Sequence, residues 1–312
     1  MYYEVFSHPI YIRYKATLIS KATAFQVVSL GLTIIIPLLI VYRSQGLWLK
    51  TNTYREQPSV QWTGEFIFVG YSHTDTDYMV WSTFPGINLI ESSHLRIVAI
   101  RSSNIDNNHD GKTDQLQFQL KLPLSDPITE SLSSIELILF FSYSLELQSR
   151  FRAQTMLHFS EATSLDRTAK LSIFGDLNLY QTVPLRWRGI DLRWDTAIVT
   201  KSFGDQTELV RLERLLSTYA KRNVTTNLVR KTALWTPGAS PNSIFQLDIN
   251  IFVPTETIEY ETGFWELIKW AWIQYISVAL AFGFIMNRIR RFVFINRLVF
   301  SMPVGERISQ LG

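Results

Sequence analysis

ATAFQVVSLGLTIIIPLLIVY, residues 22–42, carries no charge between Lys21 and Arg43. At 1.5 Å of rise per residue a helix of that length crosses a hydrocarbon core of roughly 30 Å. A core helix of a soluble protein would show a polar face over such a distance. A signal peptide has a shorter apolar region and an A-x-A-like cleavage site soon after it, and VYRSQGLWLK (41–50) offers none. The run predicts an uncleaved membrane span.

A second charge-free run follows near the other end, WAWIQYISVALAFGFIM, residues 270–286. Trp265, Trp270, Trp272 and Tyr275 at its start form an aromatic belt, since rings with one polar atom settle at headgroup level. Asn287-Arg288-Ile289-Arg290-Arg291 at its end is the basic flank that marks a cytosolic side. Ahead of the span, residues 256–266 carry Glu256, Glu259, Glu261 and Glu266 and no Lys or Arg. Arg13, Lys15 and Lys21 precede the first span. The chain therefore divides into a cytosolic N-terminal segment (1–21), a first transmembrane helix (22–42), an exoplasmic β-rich domain (43–266), a second transmembrane helix (267–287) and a cytosolic basic and aromatic tail (288–312). The one glycosylation sequon, Asn223-Val224-Thr225, falls in the expected outside domain.

Polar residues within the spans are informative because lipid cannot satisfy them. Gln26, Ser29 and Thr33 share one face of the first helix, and Gln274, Ser277 and Ala281 repeat the spacing on the second. Stripes of this kind mediate helix packing, here between the two spans or with a second protein. The topology puts Gln26 and Gln274 at opposite depths, so each needs a partner other than its counterpart. Pro37 predicts a kink in the first helix.

Between the spans the period changes to two. Gln115–Leu122 (QLQFQLKL) alternates fully, as does Phe245–Val253, and Ile135–Leu145 keeps a continuous apolar face. Val60–Val69, Tyr78–Phe84, Leu95–Ile100, Leu171–Leu179 and Leu192–Thr200 are further strands. Asp205–Arg222 has Leu209, Leu212, Leu215, Leu216 and Tyr219 at helical spacing, with Asp205 as N-cap and Glu208 three residues on. The expected fold is a mainly β exoplasmic domain, an antiparallel sandwich or jelly-roll with one amphipathic helix, plus two transmembrane α-helices.

Composition narrows the chemistry. A net charge of +3 is too small for a nucleic-acid partner. With no cysteine, disulfides, thiolate metal sites and cysteine nucleophiles are excluded. There is no P-loop, no G-x-S-x-G, no H-E-x-x-H and no G-x-G-x-x-G. His8, His73, His94, His109 and His158 are scattered, and Asp75 and Asp77 sit in turn-like sequence. Nothing points to an enzyme or to a small-molecule substrate. The sharpest motif is Asp106-Asn107-Asn108-His109-Asp110-Gly111-Lys112-Thr113-Asp114. Oxygens of Asp106, Asn108, Asp110 and Asp114, with glycine at the sixth position, match the front of a calcium loop. Gln117 replaces the bidentate glutamate at position twelve, and strands flank the loop instead of helices. Two readings stand: a Ca2+ loop between strands, or a polar loop that closes on itself. Ile289–Phe300 likewise reads as a stop-transfer flank lying at the interface, or as a contact for anionic membrane lipid.

Several segments together resemble one family. YEVFSHP (Tyr3–Pro9), REQPSV (Arg55–Val60), WSTFP (Trp81–Pro85), DGKTD (Asp110–Asp114), RNVTT (Arg222–Thr226) and GFWELIKWAWIQYIS (Gly263–Ser277) occur in the order found in the transmembrane protein 231 family. The resemblance runs from the first residues to the second span. It implies a structural subunit of the Meckel-syndrome, or tectonic-like, complex at the ciliary transition zone. That complex limits diffusion between plasma membrane and ciliary membrane and supports cilium assembly and Hedgehog signalling. The implied partners are tectonics and other transition-zone membrane proteins. A channel subunit and a two-span accessory subunit of a flippase-like transporter share the plan and remain as alternatives.

Overall fold

The computed structural model describes residues 13–17, 19–44, 49–72, 78–124, 131–199, 208–238 and 244–304. In chain order the elements are β1 (Arg13–Lys15), α1 (Lys21–Arg43), β2 (Thr51–Glu56), β3 (Ser59–Ser72), β4 (Tyr78–Ser82), α2 (Pro85–Ile90), β5 (Ala99–Ile105), β6 (Gln115–Pro123) and β7 (Leu132–Leu145). There follow β8 (Arg150–Ala162), β9 (Thr168–Gln181), β10 (Ile190–Trp194), α3 (Glu208–Ala220), β11 (Val224–Pro237), β12 (Ile244–Phe252), β13 (Glu256–Glu261), α4 (Phe264–Ile295) and β14 (Met302–Val304). They form two compact units: Thr51–Glu261, and the two chain ends Met1–Lys50 with Thr262–Gly312.

The first unit is a β-sandwich. One sheet has the order β10-β8-β7-β3-β4, the other β11-β9-β12-β6-β5, and β2 pairs with β13 in a separate ribbon. Side chains of both sheets meet in one apolar core that includes Phe68, Leu137, Phe141, Phe118, Leu247 and Ile249. Phe118 of the second sheet meets Trp62 and Phe141 of the first edge-on. The alternation read from QLQFQLKL is the cause: Leu116, Phe118, Leu120 and Leu122 are buried, and the intervening residues face outward.

The outer face of the first sheet is also covered. Ile67, Val80, Ile138, Phe140 and Met156 form a second core with Ile87 of α2 and Leu215 and Tyr219 of α3. A strand buried on both faces loses its alternation, which accounts for the unbroken apolar run in β7. Helix α3 occupies part of the expected Asp205–Arg222 segment, while Asp205 lies outside the described residues, as do His8, His73, Asp75 and Asp77.

Two strand pairs are parallel, β8 with β10 and β9 with β12, so the sheets are mixed. Parallel neighbours need long connections, and the path from β9 to β12 holds β10, α3 and β11. The expected strand Leu95–Ile100 is displaced: Leu95 makes a single bridge to Val80, and the strand proper begins at Ala99. Strand β10 ends at Trp194, short of the expected Thr200. Strands β2, β8, β11 and β13 and the short α2 have no counterpart in the sequence reading. In β11 a bulge between Val229 and Thr232, with Arg230 at φ 50°, breaks the alternation that would reveal it.

The second unit holds the two long helices. Ser20 caps α1, its hydroxyl accepting from the Thr23 amide at 3.3 Å. The helix runs on through Pro37 to Arg43, and α4 continues past the expected end at residue 287 to Ile295. Both are long and apolar enough to cross a membrane. Ala22, Ser29, Pro37 and Val41 are the buried residues of α1, and Met286 is that of α4. The ring of Phe25 meets Phe294 at 6.0 Å, edge-on. Strand β1 pairs with β14 beside them.

Candidate functional site

The seam between α1 and α4 is polar at one level. Arg290 donates through Nε to Ser29 Oγ at 2.7 Å and through Nη2 to Thr33 Oγ1 at 3.1 Å. Each hydroxyl spends its own proton on its helix: Ser29 donates to the Gln26 carbonyl (3.1 Å) and Thr33 to the Ser29 carbonyl (2.6 Å). Their lone pairs are thereby left for a donor, and a guanidinium supplies two from one plane. Thr33 also faces Gly283, where an added Cβ would sit 3.9 Å from its methyl carbon.

Of the five polar residues expected to pack the helices, Ser29 and Thr33 meet Arg290 across the seam. Gln26 is exposed. Ser277 is exposed and bonds to the Ile273 carbonyl of its own helix at 2.7 Å. Gln274 keeps a buried Oε1 without a hydrogen-bond partner among the described residues. In the sequence, Arg290 is only one member of a basic flank. Its inward turn depends on which way α4 is rotated, which a charge count does not reveal.

The Asp106–Asp114 loop folds into separate knots. Asp106 accepts from the Gly111 amide at 3.0 Å, and Asp110 from the Lys112 amide at 2.8 Å and the Asn108 side chain at 3.1 Å. Asp114 accepts from the Gln57 side chain and the Asn107 amide, both at 2.8 Å. These bonds, Gln57 first, hold its carboxyl below the ordinary value. His109 (φ 58°) and Gly111 (φ 84°) make the reversals. Among the described residues no group of three or more acidic or histidine side chains converges as a metal site. The loop's carboxylates turn mainly onto its own N–H groups and Gln57, while Asp106 Oδ1 stays buried without a hydrogen-bond partner among the described residues.

Asn223 is exposed in the turn between α3 and β11. Nearby, the Tyr219 hydroxyl accepts from the amides of Met156 (3.2 Å) and Thr226 (2.9 Å), tying α3 to β8 and β11.

A further cluster has no sequence signal. Glu56 and Glu256 are paired across the β2–β13 ribbon, each 6% exposed. Glu56 Oε1 accepts from the amides of Glu146 (2.8 Å) and Leu147 (3.0 Å), and Glu256 Oε2 from that of Leu179 (2.6 Å). Their other oxygens, and the hydroxyl of fully buried Tyr143, have no partner among the described residues. Burial pushes Glu256 up to about 7, and burial together with the two carboxylates raises Tyr143.

A β-sandwich whose sequence lies between two long apolar helices defines the class: a membrane protein with two candidate spans. The profile of the family described as Transmembrane protein 231 matches residues 1–303. Transmembrane protein 231 of Mus musculus is 40% identical over 306 residues, covering 97% of this chain and 95% of that protein. The Homo sapiens protein of that name is 38% identical over 305 residues, with 97% and 95% covered. The chain belongs to the transmembrane protein 231 family. A solved structure described as a proton-activated chloride channel overlaps 88% of this chain and 97% of its own at 7% identity, with a TM-score of 0.27.

Proposed function

We propose that this protein is a structural subunit of the Meckel-syndrome, or tectonic-like, complex in the ciliary membrane at the transition zone. In this reading it contributes to the diffusion barrier between plasma membrane and ciliary membrane, to cilium assembly and to Hedgehog signalling. Both termini lie in the cytosol, the sandwich lies outside the cell, and Asn223 carries glycan. Tectonics and other transition-zone membrane proteins are its partners.

The observation that carries this reading is the family match over nearly the whole chain. The residue chemistry is compatible with it. Polar atoms are spent on holding strands, loops and the helix seam together, as a scaffold requires. The outward face of the second sheet offers a polar surface, where Lys170 and Gln246 bind Asp248 at 2.6 Å and 2.9 Å.

The test is localisation with partner capture. A C-terminal tag imaged in ciliated cells should give a ring just beyond the basal body, with tectonics in the captured material. Diffuse plasma-membrane signal with no tectonic recovered would overturn the reading. Stable recovery with a large ATPase would point instead to a flippase subunit.

A further inference from the structure

The clamp that turns Arg290 into the seam fixes the rotation of α4, and so decides where its neighbours point. At 100° per residue, roughly the step of an α-helix, Arg288, Arg291, Phe292 and Ile295 fall on one face, with Arg290 on the opposite side. That face is open: Phe292 is 62% and Ile295 59% exposed. It holds a groove of about 530 Å³ lined by Arg288, Ile289, Arg291, Phe292, Ile295 and Asn296.

Two features say what fills it. The first is depth. The Arg290 guanidinium reaches the level of Ser29, and the Phe294 ring that of Phe25. The first charge on α1, Lys21, lies about 12 Å further toward the chain ends, at 1.5 Å per residue. Arg288 and Arg291 therefore stand beside the charge-free run of α1, in surroundings where a bare guanidinium is costly. The second is charge balance. Helix α1 has no acidic residue, and the acidic residue of α4, Glu266, lies near its opposite end. The counter-charge must come from outside the helix pair.

We infer that this face is a binding site for an anionic phospholipid, its phosphate held by Arg288 and Arg291 and an acyl chain laid along Ile289, Phe292 and Ile295. Two guanidiniums one turn apart suit phosphate oxygens. The apolar floor selects a lipid over free phosphate. A headgroup held at this depth sits inward of the level set by Lys21, so the leaflet thins beside the protein. Lipid capture of this kind holds whichever membrane the protein occupies, so it can fail or succeed independently of the ciliary reading.

The full chain is reconstituted in nanodiscs of phosphatidylcholine with a minor share of phosphatidylserine, and retained lipid is counted by native mass spectrometry. Wild type should keep phosphatidylserine in preference to phosphatidylcholine. Arg288→Gln/Arg291→Gln should lose that preference by about thirty-fold, from the usual worth of two basic residues near an anionic surface. Lys269→Gln, at the other end of α4, should keep it. Equal retention of the two lipids by wild type overturns the inference without reliance on any variant. So does phosphatidylserine retention that survives the double substitution, or that millimolar inorganic phosphate displaces.

Discussion

Glu56 and Glu256 face each other across the two-stranded ribbon, both on its buried side. Cross-strand neighbours on one face have Cβ atoms about 5 Å apart, and burial penalises the charged form of a carboxyl. Burial brings Glu256 to about 7 from an ordinary 4.5. A carboxyl raised on folding binds its proton more tightly in the native state. Its stabilising contribution is complete below the ordinary value and is lost as pH climbs through about 7. The shift corresponds to about 3 kcal/mol. Thermal melts of the full chain in detergent should show falling stability from pH 5 to pH 8, and Glu256→Gln should flatten that slope. A wild-type melting temperature that rises over this range would refute the assignment.

The Arg290 clamp can be tested by a compensation series. Ser29→Ala/Thr33→Val removes both acceptors and leaves two guanidinium donors unpaired in the seam. Each interhelical bond of this kind is worth roughly 1 kcal/mol. Adding Arg290→Leu removes the unpaired donors and should restore much of the packing. The chain has no cysteine, so Phe25→Cys with Phe294→Cys gives a crosslink free of background. Crosslinking yield should fall in the double variant and recover in the triple.

Tyr219→Phe should destabilise the sandwich by about 1–3 kcal/mol, the usual cost of orphaning buried donors. The Met156 and Thr226 amides both rely on that hydroxyl. Denaturant titration followed by tryptophan fluorescence checks it, and an unchanged midpoint would remove the hydroxyl's structural role.

Gly175 lies where β9 passes under the bulge of β11. An added Cβ would come within 2.6 Å of the Leu228 side chain and 3.1 Å of the Val229 carbonyl oxygen. Gly175→Ala should therefore cost about 1–3 kcal/mol through overpacking. Gly64→Ala, at the irregularity of β3 between Trp62 and Phe66, with open space but φ 85°, should cost roughly 1 kcal/mol from backbone strain alone. Comparing their melting temperatures separates crowding from conformation.

The Asp106–Asp114 loop should ignore calcium. Apart from Asp106 Oδ1, its carboxylate oxygens already accept from Gly111, Lys112, Asn108, Asn107 and Gln57. Millimolar calcium or a chelator should leave the melting temperature of the full chain unchanged, whereas Asp114→Asn should lower it. A calcium-dependent rise would restore the metal reading.

Much of the plan is legible along the chain. A charge-free run as long as a bilayer is thick points to a span by its length, and Leu116, Phe118, Leu120 and Leu122 announce a half-buried strand by alternation alone. Strand β8 carries the same signal in Phe151, Ala153, Thr155, Leu157 and Phe159, but Arg150 and Arg152 mask it. Strand β11 is harder to read, because Arg230 and Lys231 bulge out and reset the register. The ribbon strands are short and charged, and become strands only because each finds the other across the whole length of the sandwich.

The sequence by itself determined the two apolar helices, the β character of what lies between them and the family, because these rest on local periodicity and on the order of motifs. Tertiary structure alone decided that Arg290 turns inward to Ser29 while Arg288 and Arg291 turn outward, and that Glu56 meets Glu256 away from water. A side chain's partners depend on helix rotation and strand register, which are set by packing between segments hundreds of residues apart. The charge a residue carries is written in the chain, but the dielectric around it and the group that answers it are not.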